Sequence, residues 1–458
     1  MAERFDVVVL GAGPGGFRAA KRCVQHGASA AIIEKEHPGG TCLNWGCIPS
    51  KTLLASAHLL LQTRKAAEMG IDIPSATPNW AKIQQRRETI IAGLRKGMMG
   101  SAKAGKMTYI EGTATVTAPG KITVASNGQT QSIETDKLIL ATGSNSIEIP
   151  SIPFDGQVVI SSREALSLPE IPRSLVIVGG GVIGCEMACV YAAMGTKVTI
   201  VEALEHLIPM EDTWVSRLLE REFKNLGIDV MTGQKVLSVD KSATPAKVNI
   251  EGGPAIEAEK VLVSVGRRAA VDKQLVETLK LEMNGPAIKV NSKMETNVPG
   301  VYAVGDAVGT TYLAHGATAE GDVAAANATG GNEELLDYSL IPRVIFTFPE
   351  VASVGMSEEK CQAAGRNVAV GKGFYRANGR SVAHNETNGQ IHAVRDTDMN
   401  EIVGITMVGE MATEFVAFAR TLIGTCEPIR NIVFPHPTVS ETVEDAVHAA
   451  LGPILFEQ

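Results

Sequence analysis

The chain has 458 residues, too many for one compact core, and a length prior suggests about three domains. It is 45% hydrophobic and 20% charged, the balance of a soluble enzyme, and its 46 glycines point to many tight turns. A net charge of −8 argues against nucleic acid as a partner, and no apolar run reaches the roughly 18 residues of a membrane span. Seven scattered cysteines do not read as a secreted disulfide framework. The opening MAERFDVVVLGAGPGG feeds a glycine turn rather than a signal-cleavage site, so the expected compartment is the cytoplasm.

The first predicted unit begins at Phe5 with FDVVVLGAGPGGFRAAKRCVQHGASAAIIEKE. It reads as an apolar strand, a G-x-G-x-x-G turn at Gly11, Gly13 and Gly16, a helix, and a second strand ending in Glu34. The first glycine makes the turn, the second lets a pyrophosphate approach the backbone, and the third lets helix and strand pack closely. The helix N-terminus supplies N–H groups to the phosphates, and the acid accepts hydrogen bonds from a ribose.

GGTCLNWGCIPSKT follows at Gly39, with Cys42 and Cys47 five positions apart. On an ideal helix such residues lie about 140° apart and cannot bridge. A bond between them needs a distorted turn, which Gly46 makes easier. Zinc would want two more ligands, and Cys23, Cys185, Cys189, Cys361 and Cys426 offer no second compact pair with histidines nearby. Cys185 and Cys189 read as small buried apolar residues. That reading suits Cys42 and Cys47 poorly, because Thr41, Asn44, Gly46 and Lys51 are not a core pattern. A strained, accessible disulfide would be easier to reduce than a structural staple.

SIETDKLILATGSNS reads as a strand ending at Ala141-Thr142-Gly143-Ser144. A second copy of the first unit begins at Ser174, SLVIVGGGVIGCEMACVYAAMGTKVTIVEAL, with Gly179, Gly181, Gly184 and Glu202 in register. In both copies the acid lies 23 positions after the first glycine. No arginine follows Glu202 through Pro209, so the second site favours NAD over NADP, whose 2′-phosphate a carboxylate repels. ETNVPGVYAVGDAVG reads as a turn, a strand and an exposed Asp306, which by itself reads as an acidic turn residue but is also placed to hold a polyhydroxyl chain. From about Ile341, IPRVIFTFPEVASVG and NGQIHAVRDTDMNEIVGITMVG alternate like antiparallel strands, and helices follow.

GAGPGG, GGTCLNWGCIPSK, ATGS, GGGVIGCE, VGRRA, VYAVGDA, IPRVIFTFPEVASVG and HPTVSE together make the chain resemble the flavin-dependent pyridine nucleotide-disulphide oxidoreductases. Within that family it is most similar to the dihydrolipoyl dehydrogenases, over nearly its whole length. The resemblance implies an α/β homodimer with two Rossmann-like domains and a C-terminal α+β dimerisation domain. It implies FAD on residues 1–144 and 272–340, NAD on 145–271, and the interface on 341–458. FAD would meet Gly11, Gly13, Gly16, Glu34, Lys51, Gly112, Thr142, Gly143, Ser144, Asp306 and Ala314. NAD would meet Gly179, Gly181, Gly184, Glu202, Val236 and Gly266. No metal is implied.

By the same resemblance Cys42 is the thiol that meets the substrate and Cys47 the flavin-side sulfur of a redox-active disulfide. A helix beginning near Pro49, with Lys51 paired to Glu186, would favour the Cys47 thiolate. His436 would act as base across the dimer interface, near the N-cap of a helix entered at Pro437, with Glu441 in its second turn holding one ring nitrogen. The expected partner is a lipoylated carrier protein, either the acyltransferase of a 2-oxoacid complex or a glycine-cleavage carrier. A glutathione-type reductase would want NADP-binding arginines, and a mercuric reductase a C-terminal cysteine pair. A redox-silent docking flavoprotein would not need Cys42, Cys47, His436 and Glu441 together. Trp45, Gly316 and Phe434 depart from the family pattern.

Overall fold

The computed structural model describes residues 2–335, 337–424 and 432–452. Its first sheet is built on strand Glu3–Leu10, which pairs in parallel with Ala30–Glu34 on one side and Gln129–Leu140 on the other. Thr108–Glu111 and Val301–Ala303 extend the parallel layer at its two sides. Val7, Val8, Val9, Ala31, Ile32 and Ile139 are all buried, as expected for β-branched strands covered on both faces. The long strand Gln129–Leu140 also begins an antiparallel meander with Lys121–Ser126 and Thr113–Ala118.

The second unit repeats this plan. Ser174–Val178 pairs in parallel with Lys197–Val201 and Lys260–Val263, and Ile228–Met231 and Val159–Ile160 form the edges. Its own meander is Val236–Asp240, Ala246–Ile250 and Ile256–Ala258. The third sheet is antiparallel, in the order Arg343–Ile345, Val351–Gly355, Glu401–Val408, Gln390–Asp396, Val368–Phe374. Helices Ala412–Thr421 and Glu441–Leu451 pack on it. The fold is therefore α/β, with two Rossmann-like units and a C-terminal α+β unit.

One hydrophobic cluster positions the chemistry. Leu53, Leu54 and Ala57 of helix Cys47–Lys65 pack with Cys185, Met187 and Cys189 of helix Val182–Ala193 and with Ile345 and Val351 of the third sheet. Each large side chain buried there contributes roughly 1.5–3 kcal/mol. All three units are thus clamped around the segment that carries the paired cysteines. Among the described residues no helix is long and apolar enough to cross a membrane.

Candidate functional site

Packing forces the outer glycines of each fingerprint and leaves the middle one facing space. Gly11 has φ +102°, and a Cβ there would lie 2.2 Å from the Ala141 carbonyl oxygen. A Cβ on Gly16 would lie 2.0 Å from the Gly11 oxygen, whereas one on Gly13 would meet nothing within 4 Å. The second copy matches: Gly179 at φ +108° approaches the Ser264 oxygen, Gly184 would place a Cβ 2.1 Å from the Gly179 oxygen, and Gly181 is open. Gly13 and Gly181 each cap a 12-residue helix with no side chain on the first N–H groups. Bare N–H groups at a helix N-terminus beside open space form an anion cradle.

The two acids are held alike. Glu34 accepts the Ala12 N–H at 2.8 Å and the Glu36 N–H at 2.9 Å. Glu202 accepts the Gly180 N–H at 2.6 Å and the Leu204 N–H at 2.8 Å. Each carboxylate oxygen keeps a further lone pair for a hydroxyl. The Gly112 N–H donates to the Glu34 carbonyl at 2.8 Å, and the Gln234 N–H to the Glu202 carbonyl at 3.0 Å, two residues before Val236. Thr142 carries a buried hydroxyl with no partner, next to Gly143 at φ +75°.

The cysteines straddle a break between helices. Gly40–Trp45 is a short helix, Gly46 leaves the helical region (φ −142°, ψ −112°), and helix Cys47–Lys65 begins at once. That helix starts two residues earlier than the proline suggested, because Gly46 ends the preceding turn abruptly. Pro49 then occupies the third helical position, where the missing N–H is still one of the unpaired four. Cys42 and Cys47 bring their sulfurs within hydrogen-bonding reach of each other across this break. By donating a hydrogen bond to Cys47, and through burial, Cys42 has its pKa raised. Cys47 accepts it, and with the Lys51 ammonium nearby its pKa falls to about 7 against the opposing effects of burial and Glu186. Cys47 also sits at the positive end of a 19-residue helix.

Lys51 Nζ lies 2.9 Å from both Glu186 carboxylate oxygens. Glu186 also accepts the Phe346 N–H at 3.1 Å, and Lys51 sits 4.3 Å from the Phe346 ring centre. This one ion pair therefore joins the three units beside the thiols. On another side, Ser144 donates its hydroxyl hydrogen bond to Asp306, on the turn Gly305–Ala307. Ala314 begins helix Ala314–Ala328 with no side-chain cap. Gly266 lends its carbonyl to the Ile147 N–H at 3.0 Å.

His436 Nδ1 is 2.9 Å from Glu441 Oε1, and the other Glu441 oxygen accepts the Thr438 N–H at 2.8 Å. Those bonds, the Thr438 one most, lower the Glu441 pKa. The His436 side chain is 80% exposed. Helix Glu441–Leu451 starts at Glu441, not at Pro437, so Glu441 lies in the first turn rather than the second and His436 stands in a loop. The Thr438 hydroxyl, bonded to the Pro435 carbonyl and to Ser440, closes a local turn that delays the helix.

Residues 5–321 match the model of the pyridine nucleotide-disulphide oxidoreductases, and residues 341–447 match that family's dimerisation domain. The chain belongs to the pyridine nucleotide-disulphide oxidoreductase family. Two relatives from Bacillus subtilis (strain 168), both dihydrolipoyl dehydrogenases, are 36% identical over 452 residues and 37% over 469. The alignments cover 97% and 99% of this chain, and 98% and 99% of those proteins. Among solved structures, LpdA from Mycobacterium tuberculosis superposes with a TM-score of 0.89 at 25% identity, covering 97% of this chain and 99% of that one. The HOCl-induced flavoprotein disulfide reductase RclA from Escherichia coli, in its Cu(II) complex, gives 0.86 at 25% identity, covering 98% and 99%.

As an oxidoreductase of this family, the chain carries features that its motifs alone did not reveal. Arg267, in VGRRA, is half-buried and donates to the Ser144 hydroxyl and carbonyl at 2.7 Å each, with its Nε 3.9 Å from Asp306. Burial pushes its pKa down, and Asp306 and Cys47 pull it back. Trp45 lies under the Arg163 guanidinium at 3.9 Å and beside His37, and Arg163 is also 3.5 Å from Glu36. Trp45 thus ties the cysteine segment to the loop after Glu34. A Cβ on Gly316 would lie 2.5 Å from the Thr311 hydroxyl, so no larger residue fits there without a shift. Phe434 packs edge-on against Phe418 at 5.6 Å. Cys426 lies outside the described residues.

Proposed function

We propose that this oxidoreductase is a dihydrolipoyl dehydrogenase that oxidises protein-bound dihydrolipoyl groups with NAD⁺, using FAD and a Cys42–Cys47 disulfide. The observation that carries the reading is the cysteine pair meeting across the Gly46 break, at the start of the helix that carries the Lys51–Glu186 ion pair. The open face at Gly13 and the unpartnered Thr142 hydroxyl fit FAD on residues 1–144 and 272–340. The open face at Gly181 and the carboxylate of Glu202 fit NAD on 145–271. Asp306, Ser144, Lys51, Gly112, Gly143 and Ala314 would complete the FAD site, and Val236 and Gly266 the NAD site. Bound FAD supplies the two-electron relay from the dithiol to NAD⁺.

A cavity of about 310 Å³ reaches Cys42 between Pro14, Phe17, Ile48 and Met98, and suits a slender dithiolane arm. In the oxidised pair, a substrate thiolate attacks Cys42 Sγ. The Cys42–Cys47 bond breaks, a mixed disulfide forms, and Cys47 departs as the thiolate that Lys51 and the helix N-terminus stabilise. His436 of the partner subunit takes the proton of the second substrate thiol, its ring oriented by Glu441. That thiolate closes the lipoyl disulfide and releases Cys42. The dimer, the partner-side base, the interface on 341–458, the lipoylated carrier and a cytoplasmic setting all belong to this reading.

Two experiments test it in parts. Steady-state assays with dihydrolipoamide should favour NAD⁺ over NADP⁺ by on the order of 100-fold, because Glu202 repels a 2′-phosphate. A preference for NADPH with glutathione disulfide would instead support a glutathione-type reductase. For the cradle, Gly181→Ala should leave the melting temperature unchanged and raise the NAD⁺ KM about tenfold, while Gly184→Ala should lower the melting temperature first. Equal effects of the two on stability would contradict an open phosphate face at Gly181.

A further inference from the structure

Glu320 is a buried carboxyl that the chemistry above does not use. It lies on helix Ala314–Ala328 and is 1% exposed. One oxygen accepts the Gly305 N–H at 2.5 Å, and the other accepts the Tyr338 hydroxyl at 2.9 Å. Gly305 has φ +70° and opens the turn that presents Asp306. Tyr338 opens the turn Tyr338–Leu340, where the chain leaves for the third sheet. The same helix is tied to that connection again by His315 Nε2, 2.6 Å from the Pro342 carbonyl. Burial, helped by the charge of Asp306, raises the Glu320 pKa to about 7 despite its two donors. Arg18 and Arg22 both pair with Asp322 on the same helix as Glu320.

We infer that Glu320 is a positioning residue for bound flavin: it holds the Gly305–Ala307 turn on one oxygen and the Tyr338 connection on the other, so that Asp306 faces the ribitol. The inference rests on the reading of Asp306 as a flavin ligand. A neutral group can serve Glu320's place only while Tyr338 keeps its hydroxyl. Glutamine can accept the Gly305 N–H and donate to the Tyr338 oxygen, because a phenol is both donor and acceptor. Alanine can do neither, and it takes the carboxylate partner from both the Gly305 N–H and the Tyr338 hydroxyl.

The test is the FAD dissociation constant of the reconstituted full-length protein, read from quenching of flavin fluorescence, beside the melting temperature of each apoprotein. Glu320→Ala should weaken FAD binding about 10- to 100-fold. Glu320→Gln should stay within about threefold of wild type, and Glu320→Gln combined with Tyr338→Phe should fall back towards the alanine value. If the alanine variant does not fold, the comparison of the glutamine variant with and without Tyr338→Phe decides the matter. Equal FAD affinity in those two variants, or in Glu320→Ala and wild type, overturns the inference. If Asp306→Asn loosens FAD and the Glu320 variants do not, the positioning role alone fails. A wild-type protein that takes up no FAD overturns the functional reading as well.

Discussion

Replacing Cys47 by serine is expected to cut dihydrolipoamide oxidation by roughly 10⁴- to 10⁶-fold, the scale seen when one member of a catalytic unit is removed. With serine at this position no disulfide forms with Cys42, so the substrate thiolate finds no sulfur–sulfur bond to break and no thiolate forms beside Lys51 and the helix N-terminus. The exchange substitutes a hydroxyl for a thiol at a half-buried helix start, so folding should be spared. The measurement is turnover at saturating NAD⁺, with FAD content and melting temperature as controls. Retention of more than about a hundredth of wild-type turnover would contradict the redox role of Cys47.

The second large effect concerns the base. His436→Gln alone should lower turnover about 10²- to 10⁴-fold, as for loss of a general base. The stronger experiment is complementation. Cys42→Ser and His436→Gln subunits, carrying different tags and purified as the heterodimer, should recover about half of wild-type activity, because one of the two symmetric sites then contains both an intact cysteine pair and an intact histidine. The side chain of His436 is 80% exposed, and its bond to Glu441 uses Nδ1, which leaves Nε2 for a group outside its own chain. A heterodimer as inactive as its parents would mean that cysteines and histidine act within one chain.

The repeated dinucleotide fold was legible because its constraints are local. Strand, glycine turn, helix and terminal acid lie within about 30 residues, and the third glycine of each copy answers to the first inside that unit. The Lys51–Glu186 pair was reachable only through the family pattern, since the two residues are 135 positions apart and meet through packing of two helices. Arg267 went unassigned for a related reason. Its place beside Ser144 depends on strand Arg267–Ala269 pairing with Ser144–Ser146, a contact that no local periodicity encodes. The two helix starts differ from the reading of their prolines because side chains and a glycine compete with proline there: Gly46 ends one turn early, and Thr438 with Ser440 holds another open. Trp45 gains a contact account through Arg163, which stands in a different unit.

The central claim is that electrons enter through the Cys42–Cys47 pair and reach the flavin from Cys47. Anaerobic titration of the FAD-loaded protein with dihydrolipoamide tests it most directly. A broad absorbance band beyond the oxidised flavin's own should grow in as the Cys47 thiolate forms beside the ring, and it should be absent from the Cys47→Ser variant. Bleaching of the flavin with no such band in the wild type, or the same band in the serine variant, would contradict the account.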